Sequence, residues 1–400
     1  MSGQVEWAAS GVAALTGRPD GPPLIPPGRG ALAARELAER LPVPVDGPRV
    51  LAERAAFTGH RRGGTVSAGG SCRLLRTADG WAAVSCARPD DPALLGAMIG
   101  ADTGSDPWPG VAAWLRAHSG DELAERAELL GIAAGPVGRT RRRAHVPAPL
   151  PPRPVEGLLV ADFSALWAGP LCAHLLGLAG ARVVKVETPS RPDGARRGNP
   201  DFYRLLHAGH RSVVLDPGTA AGRDAMAALV DAADIVVEAS RPRALARFGL
   251  DADAAVAAGT TWVSITAYGR DADRVGFGDD VAAACGLVRR EPDGTPLFCG
   301  DAIADPLTGL TAAALAATAP PGGGGVLWDV AMSDVVAGTL AGADAGPPPA
   351  AVRHGGGWAL DTGAGGLVPV AEPVRREVPG TAPESGRDTA EVLRELGLAR

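Results

Sequence analysis

Asp305 lies in the run ADPLTG, with Pro306 directly behind it and Gly309 four residues on. An aspartate followed by proline is an ordinary helix N-cap with proline at the first helical position. The same placement suits chemistry. A helix N-terminus stabilises a carboxylate and nearby anionic species, and a carboxylate can act as a covalent nucleophile. Both readings stay open at this level. Asp301, in CGDAIAD, is the local rival, and an aspartate in a turn reads as an Asx cap. Upstream, the run SALWAGP at 164–170 lacks the G-x-G-x-x-G that lets a backbone approach a dinucleotide pyrophosphate, although Glu187 stands about where a ribose-binding acid would sit. Among seven histidines, His60, His118, His145 and His174 show no H-E-x-x-H or similar spacing, and His174 reads as a packed histidine within a helix. Cys72, Cys86, Cys172, Cys285 and Cys299 form no C-x-x-C pair and read as buried thiols in a reducing compartment.

The elements that would position these groups follow from pattern. Four hundred residues predict two or three domains. With 46% hydrophobic and 21% charged residues the chain is globular, while 55 Gly and 36 Pro make it loop-rich. A net charge of −6 without a basic stripe argues against nucleic-acid binding; the one dense basic run, RTRRR at 139–143, reads as a solvated linker. No secretory leader or apolar run long enough for a membrane span is visible, which predicts a cytoplasmic protein. A Pro- and Arg-rich stretch at 138–156 should be an extended, exposed linker. It separates residues 1–137 from a unit at 157–340, in which LLVADF, RVVKVE, RSVVLD, DIVVEA and TWVSITAY alternate with helical stretches. That alternation predicts an α/β fold with a doubly wound, Rossmann-like parallel sheet and a ligand beyond the carboxyl ends of its strands. Residues 1–137 predict a smaller α/β unit with helices at 30–41 and 121–133 and a hairpin turning at Asp79-Gly80. Residues 341–400 predict a long irregular segment and a closing helix.

The ordered runs LLVADFSALWAGPLCAHLLGLAGARVVKVETP, HAGHRSVVLD, ADIVVEASRPRALARFGL, WVSITAYGRD and GDAIADPLTGL resemble the family III CoA-transferases, the carnitine and bile-acid-inducible group. The first part resembles pieces of the same family in another order. WAASGVAALTGRPDGPP, CRLLRTADGWAAVSCARPDD and LLGIAAGPV normally follow the nucleotide-binding half, so the resemblance implies a rearranged or partly duplicated member. It implies an acyl-CoA:carboxylate CoA-transferase, working through an aspartyl anhydride and an aspartyl-CoA thioester. Asp305 matches the catalytic aspartate. Leu166, Trp167, Ala168, Arg211, Arg247 and Tyr268 match positions that touch CoA or the acyl group. The departures are His210 for a lysine, Ala239 and Ser240 for an Asn-Phe pair, and Trp167 where a formyl-CoA transferase carries glutamine. Arg241 and Arg243 could compensate for the missing Asn-Phe. Asp279 stands where the related 2-methylacyl-CoA racemases carry a histidine, which counts against an isomerase. A CoA-binding paralogue without activity is the main alternative. The resemblance further implies a homodimer, acyl-CoA and a carboxylic acid as ligands, no cofactor beyond CoA as substrate, no metal, and a glycine-rich covering loop for which GGGG at 322–325 and HGGG at 354–357 are candidates.

Overall fold

The computed structural model describes residues 3–139, 145–240, 242–341, 349–362, 366–377 and 380–398. Arg141, Arg142, Arg143, Arg241 and the side chain of Arg243 lie outside the described residues.

Strands β1 (Cys72–Thr77), β2 (Gly80–Ser85) and β3 (Ala134–Pro136) form an antiparallel sheet in the first part. Period-two alternation decides its faces. Ala82 and Val84 pack with Leu95, Met98, Leu115 and Leu123 of the neighbouring helices, while Cys72, Leu74 and Ala83 turn the other way, onto Ala283, Val288 and Phe298. The hairpin turns one residue earlier than expected: Thr77 pairs with Gly80, leaving Ala78 and Asp79 as the loop. Asp79 is held there by Thr77 Oγ1 and the Gly120 N–H, both at 2.9 Å.

The large unit contains β4 (Leu159–Asp162), β5 (Arg182–Glu187), β6 (Arg211–Val214), β7 (Ile235–Glu238), β8 (Thr261–Thr266), the antiparallel hairpin β9 (Val288–Arg290) and β10 (Pro296–Phe298), and β11 (Val326–Ala331). Six of these make one parallel sheet in the order β11-β8-β7-β4-β5-β6. Numbered among themselves from the β6 edge they run 3-2-1-4-5-6, the doubly wound order whose ligand crevice lies outside the carboxyl ends, where the strand order reverses. Here that place is beyond β4 and β7. Sequence patterning points to five of the six and passes over β11, whose apolar run is interrupted by Asp329.

The parts on either side of the proline-rich stretch share one core. Trp7, Leu51 and Phe57 belong to the same buried cluster as Leu171, Leu175, Val263, Leu307 and Leu310. The stretch itself is not exposed along its whole length. Its second half docks on the end of the helix Ala304–Ala316, with Arg153 N–H donating to Ala317 O at 3.0 Å, Ala319 N–H to Pro151 O at 3.1 Å, and Val155 buried. The RPDGPPL run at 18–24 meets the similar EPDGTPL run at 291–297 through Arg18 Nε and Glu291 Oε1, 2.8 Å apart. Residues 349–369 are not irregular throughout: β12 (Ala351–His354), β13 (Gly357–Asp361) and β14 (Leu367–Pro369) form an antiparallel sheet. The closing helix is Thr389–Glu395.

Candidate active site

The turn from β4 into the helix Ala168–Leu178 forms one wall of the crevice. It is shaped by a buried charge cluster. Lys185, the only lysine, is 1% exposed on β5. Its Nζ lies 3.0 Å from Asp193 Oδ2 and 3.5 Å from Asp162 Oδ2, and donates to Ser164 O. Asp193 Oδ1 accepts the N–H groups of Leu166 at 3.0 Å and Ala195 at 2.9 Å. Against the cost of burial, Lys185 and those N–H groups hold the Asp193 carboxyl below its usual range. Leu166 is thereby kept at φ 70° and 44% exposed. A left-handed leucine is strained, and a residue held so at a crevice mouth is held by its surroundings.

The opposite wall is the head of the helix Ala304–Ala316, whose N-cap is Ile303 and not Asp305. Asp305 sits in the first turn, its N–H donating to Ala302 O at 2.9 Å. The cap reading is therefore corrected. Free of that duty, the carboxylate faces the N–H of Ala168, the first residue of the facing helix, which favours its ionised form. Gly309 makes this approach possible: a Cβ there would stand 2.7 Å from Ala168 O and 2.9 Å from Leu171 Cδ2. Gly278 is equally confined, since a Cβ would come within 2.2 Å of Asp305 Oδ2 and 2.4 Å of Ala302 O. Ala302 has φ 45° and is, with Leu166, one of two non-glycine residues with positive φ among the described residues. The two flank the crevice from opposite walls.

Charge is concentrated around Asp305. Asp279 accepts the Ala302 N–H at 2.9 Å. Asp301 is not an Asx cap; it is fully buried and takes the fork of Arg54, Nε to Oδ2 at 2.9 Å and Nη2 to Oδ1 at 2.5 Å, with His60 Nδ1 3.2 Å away. Despite burial, Arg54 and His60 hold the Asp301 carboxyl well below the usual carboxylate range. Burial and Asp301 push Asp279 up to about 6. Asp305 is only partly shielded from solvent, and burial among protein atoms, opposed by Arg54 and abetted by Asp279 and Asp301, pushes it up to about 7. Next along the helix Gly278–Cys285, burial pushes Asp280 up to about 7, although it accepts Ser85 Oγ at 2.8 Å and the Phe277 N–H at 2.9 Å; its Oδ2 has no hydrogen-bond partner.

Of the residues singled out by sequence, the structure brings Asp305, Leu166, Trp167 and Ala168 together. Trp167 is buried edge-on to Phe202 at 5.4 Å, and its ring carries the Arg54 guanidinium at 4.9 Å. The other three have surroundings of their own. Arg211 opens the edge strand β6 and is paired with Glu395 of the closing helix at 2.7 Å. Tyr268 is buried under Arg274, 4.0 Å from its ring centroid, where burial first and Asp280 second raise its phenol. Arg247 is exposed just after the short helix Pro242–Ala246, beyond the carboxyl end of β7. Glu187 is committed to Arg196 and the Asp193 N–H. His174 is a packed histidine, its Nε2 3.3 Å from Arg376 Nη1. The GGGG run leads into β11 at the amino end of the sheet, opposite the crevice, and HGGG is the turn of the β12–β13 hairpin. Sequence reasoning missed Arg54, and had no role for His60. Neither belongs to a motif, and Arg54 is 247 residues from the aspartate it binds.

Among the described residues no group of His, Cys, Asp and Glu is arranged to hold a metal ion, and no helix is long and apolar enough to cross a membrane. What the site offers is one accessible carboxylate near neutrality, a backbone N–H aimed at it and a crevice at its side. That is a nucleophile's setting, and an anion generated there meets helix N-termini from two directions.

A family model described as CoA-transferase family III matches residues 155–345. A succinate–glutarate CoA-transferase of Agrobacterium fabrum is 32% identical over 212 residues, 47% of this chain and 53% of that protein. A succinyl-CoA–D-citramalate CoA-transferase of Chloroflexus aurantiacus is 32% identical over 178 residues, 41% of this chain and 44% of the relative. The chain thus spans about half the length of the curated relatives it matches. Among solved structures, a hypothetical protein (Rv3272) of Mycobacterium tuberculosis is similar with a TM-score of 0.46 and 30% identity, over 52% of this chain and 65% of that one.

Proposed function

We propose that the protein, whose residues 155–345 match CoA-transferase family III, moves CoA from an acyl-CoA thioester to a carboxylic acid through Asp305. The observation that carries this is the uncapped Asp305, facing the Ala168 N–H across the crevice. The ionised carboxylate attacks the thioester carbonyl, forming a mixed anhydride and expelling the CoA thiolate. The thiolate then attacks the aspartyl carbonyl, which releases the first acid and leaves an aspartyl-CoA thioester. The acceptor's carboxylate attacks that thioester, again freeing the thiolate, which takes the new acyl group and restores Asp305. The Ala168 N–H supports the oxyanion at the aspartyl carbonyl in the steps that pass through it. Leu166, Trp167 and Ala168 form the wall against which CoA and the acyl group lie, and Arg247 meets a CoA phosphate. CoA enters as substrate, no further cofactor or metal takes part, and the protein works in the cytoplasm as a homodimer.

Intact-protein mass spectrometry after incubation with a panel of acyl-CoAs, succinyl-CoA included, tests this. The expected result is a covalent CoA adduct that maps to Asp305 and is absent from Asp305→Asn. CoA should raise the melting temperature and NAD should not, and Arg247→Ala should weaken CoA by about 1.5–3 kcal/mol. Stabilisation by CoA with no adduct on any aspartate overturns the transferase and leaves a CoA-binding protein. Stabilisation by NAD alone overturns both.

A further inference from the structure

We propose that Arg54, contributed by the segment ahead of the proline-rich stretch, is a positioning residue that fixes the charge of Asp305. The proposal rests on the transferase reading for its meaning, but on separate residues for its evidence. The Arg54 guanidinium ties the two walls of the crevice together. It forks onto Asp301, one turn ahead of Asp305, and lies 4.9 Å over the ring of Trp167, directly before Ala168. Its own helix, Glu53–Thr58, is fixed from behind. Glu53 binds Arg376 Nε at 2.9 Å, Ala56 O accepts Arg375 Nε at 2.9 Å, and Phe57 O accepts Asn199 Nδ2 at 2.9 Å.

The charged groups that bear on Asp305 come from three elements: Asp279 of the helix Gly278–Cys285, Asp301 of the turn before its own helix, and Arg54. His60 reaches Asp301 instead. Arg54 is the one cation in that set, against two carboxylates. A carboxylate attacks a thioester only when ionised, so the guanidinium holds the nucleophile in its reactive form near neutral pH.

The test compares wild type, Arg54→Met, Arg54→Lys and the neutral pair Arg54→Met/Asp301→Asn in the full chain. Asp305 ionisation is read by infrared difference spectroscopy against Asp305→Asn, and the rate of CoA-adduct formation is followed from pH 6 to 9.5. In Arg54→Met the ionisation midpoint should rise by about one pH unit, so that the rate at pH 7 falls about fivefold and recovers above pH 9. Arg54→Lys should keep the wild-type midpoint. Should the single variant not fold, the neutral pair should still show a raised midpoint, by less. An unmoved or lowered midpoint, or a loss of rate equal at every pH, overturns the proposal. Adduct formation that survives Asp305→Asn would instead overturn the transferase reading, and the infrared midpoint would still judge Arg54.

Discussion

Two buried charge clusters face each other across the first βα turn, and they are built to opposite ends. Around Lys185, every carboxylate atom is enclosed and one ammonium is shared by Asp162 and Asp193. Despite the cost of its burial, those two carboxylates raise the Lys185 ammonium, which therefore stays charged and keeps hold of the turn. Around Asp305, one guanidinium is shared by three carboxylates, two of which are pushed up toward neutrality. Part of that cluster remains open to solvent. A closed cluster with its cation at the centre can only hold a shape. An open cluster short of positive charge has a group whose protonation is undecided, and it is there that chemistry can occur.

The largest effect expected from this contrast is on stability at the closed cluster. Lys185→Met strands Asp162 and Asp193 in the interior and should cost about 3–5 kcal/mol, read as a lowered urea midpoint. A loss under about 1 kcal/mol would mean that the cluster does not hold the turn. Asp305→Asn should do the reverse. Adduct formation should fall on the order of a thousandfold or more, while the melting temperature stays level or rises, because an unfavourable buried charge has gone. A cooperative loss of stability there would erase the contrast.

Asp280 offers a sharper version with no substrate in the way. Its folded-state pKa, about 7, lies above the ordinary 3.8, so its contribution is fully favourable below about pH 4 and is lost as pH rises through 7. Asp280→Asn should match wild type near pH 4.5 and exceed it by roughly 1–3 kcal/mol at pH 8, measured by denaturation at both values. A constant offset across that range would show that its burial carries no penalty. The smallest effect belongs to the turn between the clusters. Leu166→Gly relieves a left-handed φ at a half-exposed site and should raise stability by about 0.5–1 kcal/mol. A clear loss would show that the leucine side chain, and not the Lys185 cluster, shapes the turn.

What was legible in the chain was whatever short-range pattern encodes. Strands buried on both faces read as apolar runs, which exposed β4, β5, β6, β7 and β8. β11 escaped because Asp329 breaks its run and four glycines precede it. The β12–β14 sheet lies in a composition rich in Gly, Pro and Ala that masks alternation. Asp305 could be picked out through the family resemblance, in which the aspartate stands four residues before a glycine, and the structure supplies a reason for that spacing: Gly309 lets the two helices approach where the carboxylate faces the Ala168 N–H. Its cap role was misjudged because the chain enters the helix two residues earlier, through the strained Ala302. Arg211 and Tyr268 were matched by position, and in the structure Arg211 pairs with Glu395 while Tyr268 lies under Arg274. Arg54 could not be found at all, because only the folded core brings its helix to Asp301.

The shared core has a practical side. Val146 is exposed, in the stretch ahead of the docked Pro151–Ala319 contact, whereas Trp7, Leu51 and Phe57 are buried with Leu171 and Leu307. A backbone cut near Val146 would therefore sever the chain without separating its contents: one fragment would carry Arg54, the other Asp305, and neither would possess a closed interior alone. Co-produced, the two would reconstitute as a split protein, and CoA-adduct formation would report their reunion.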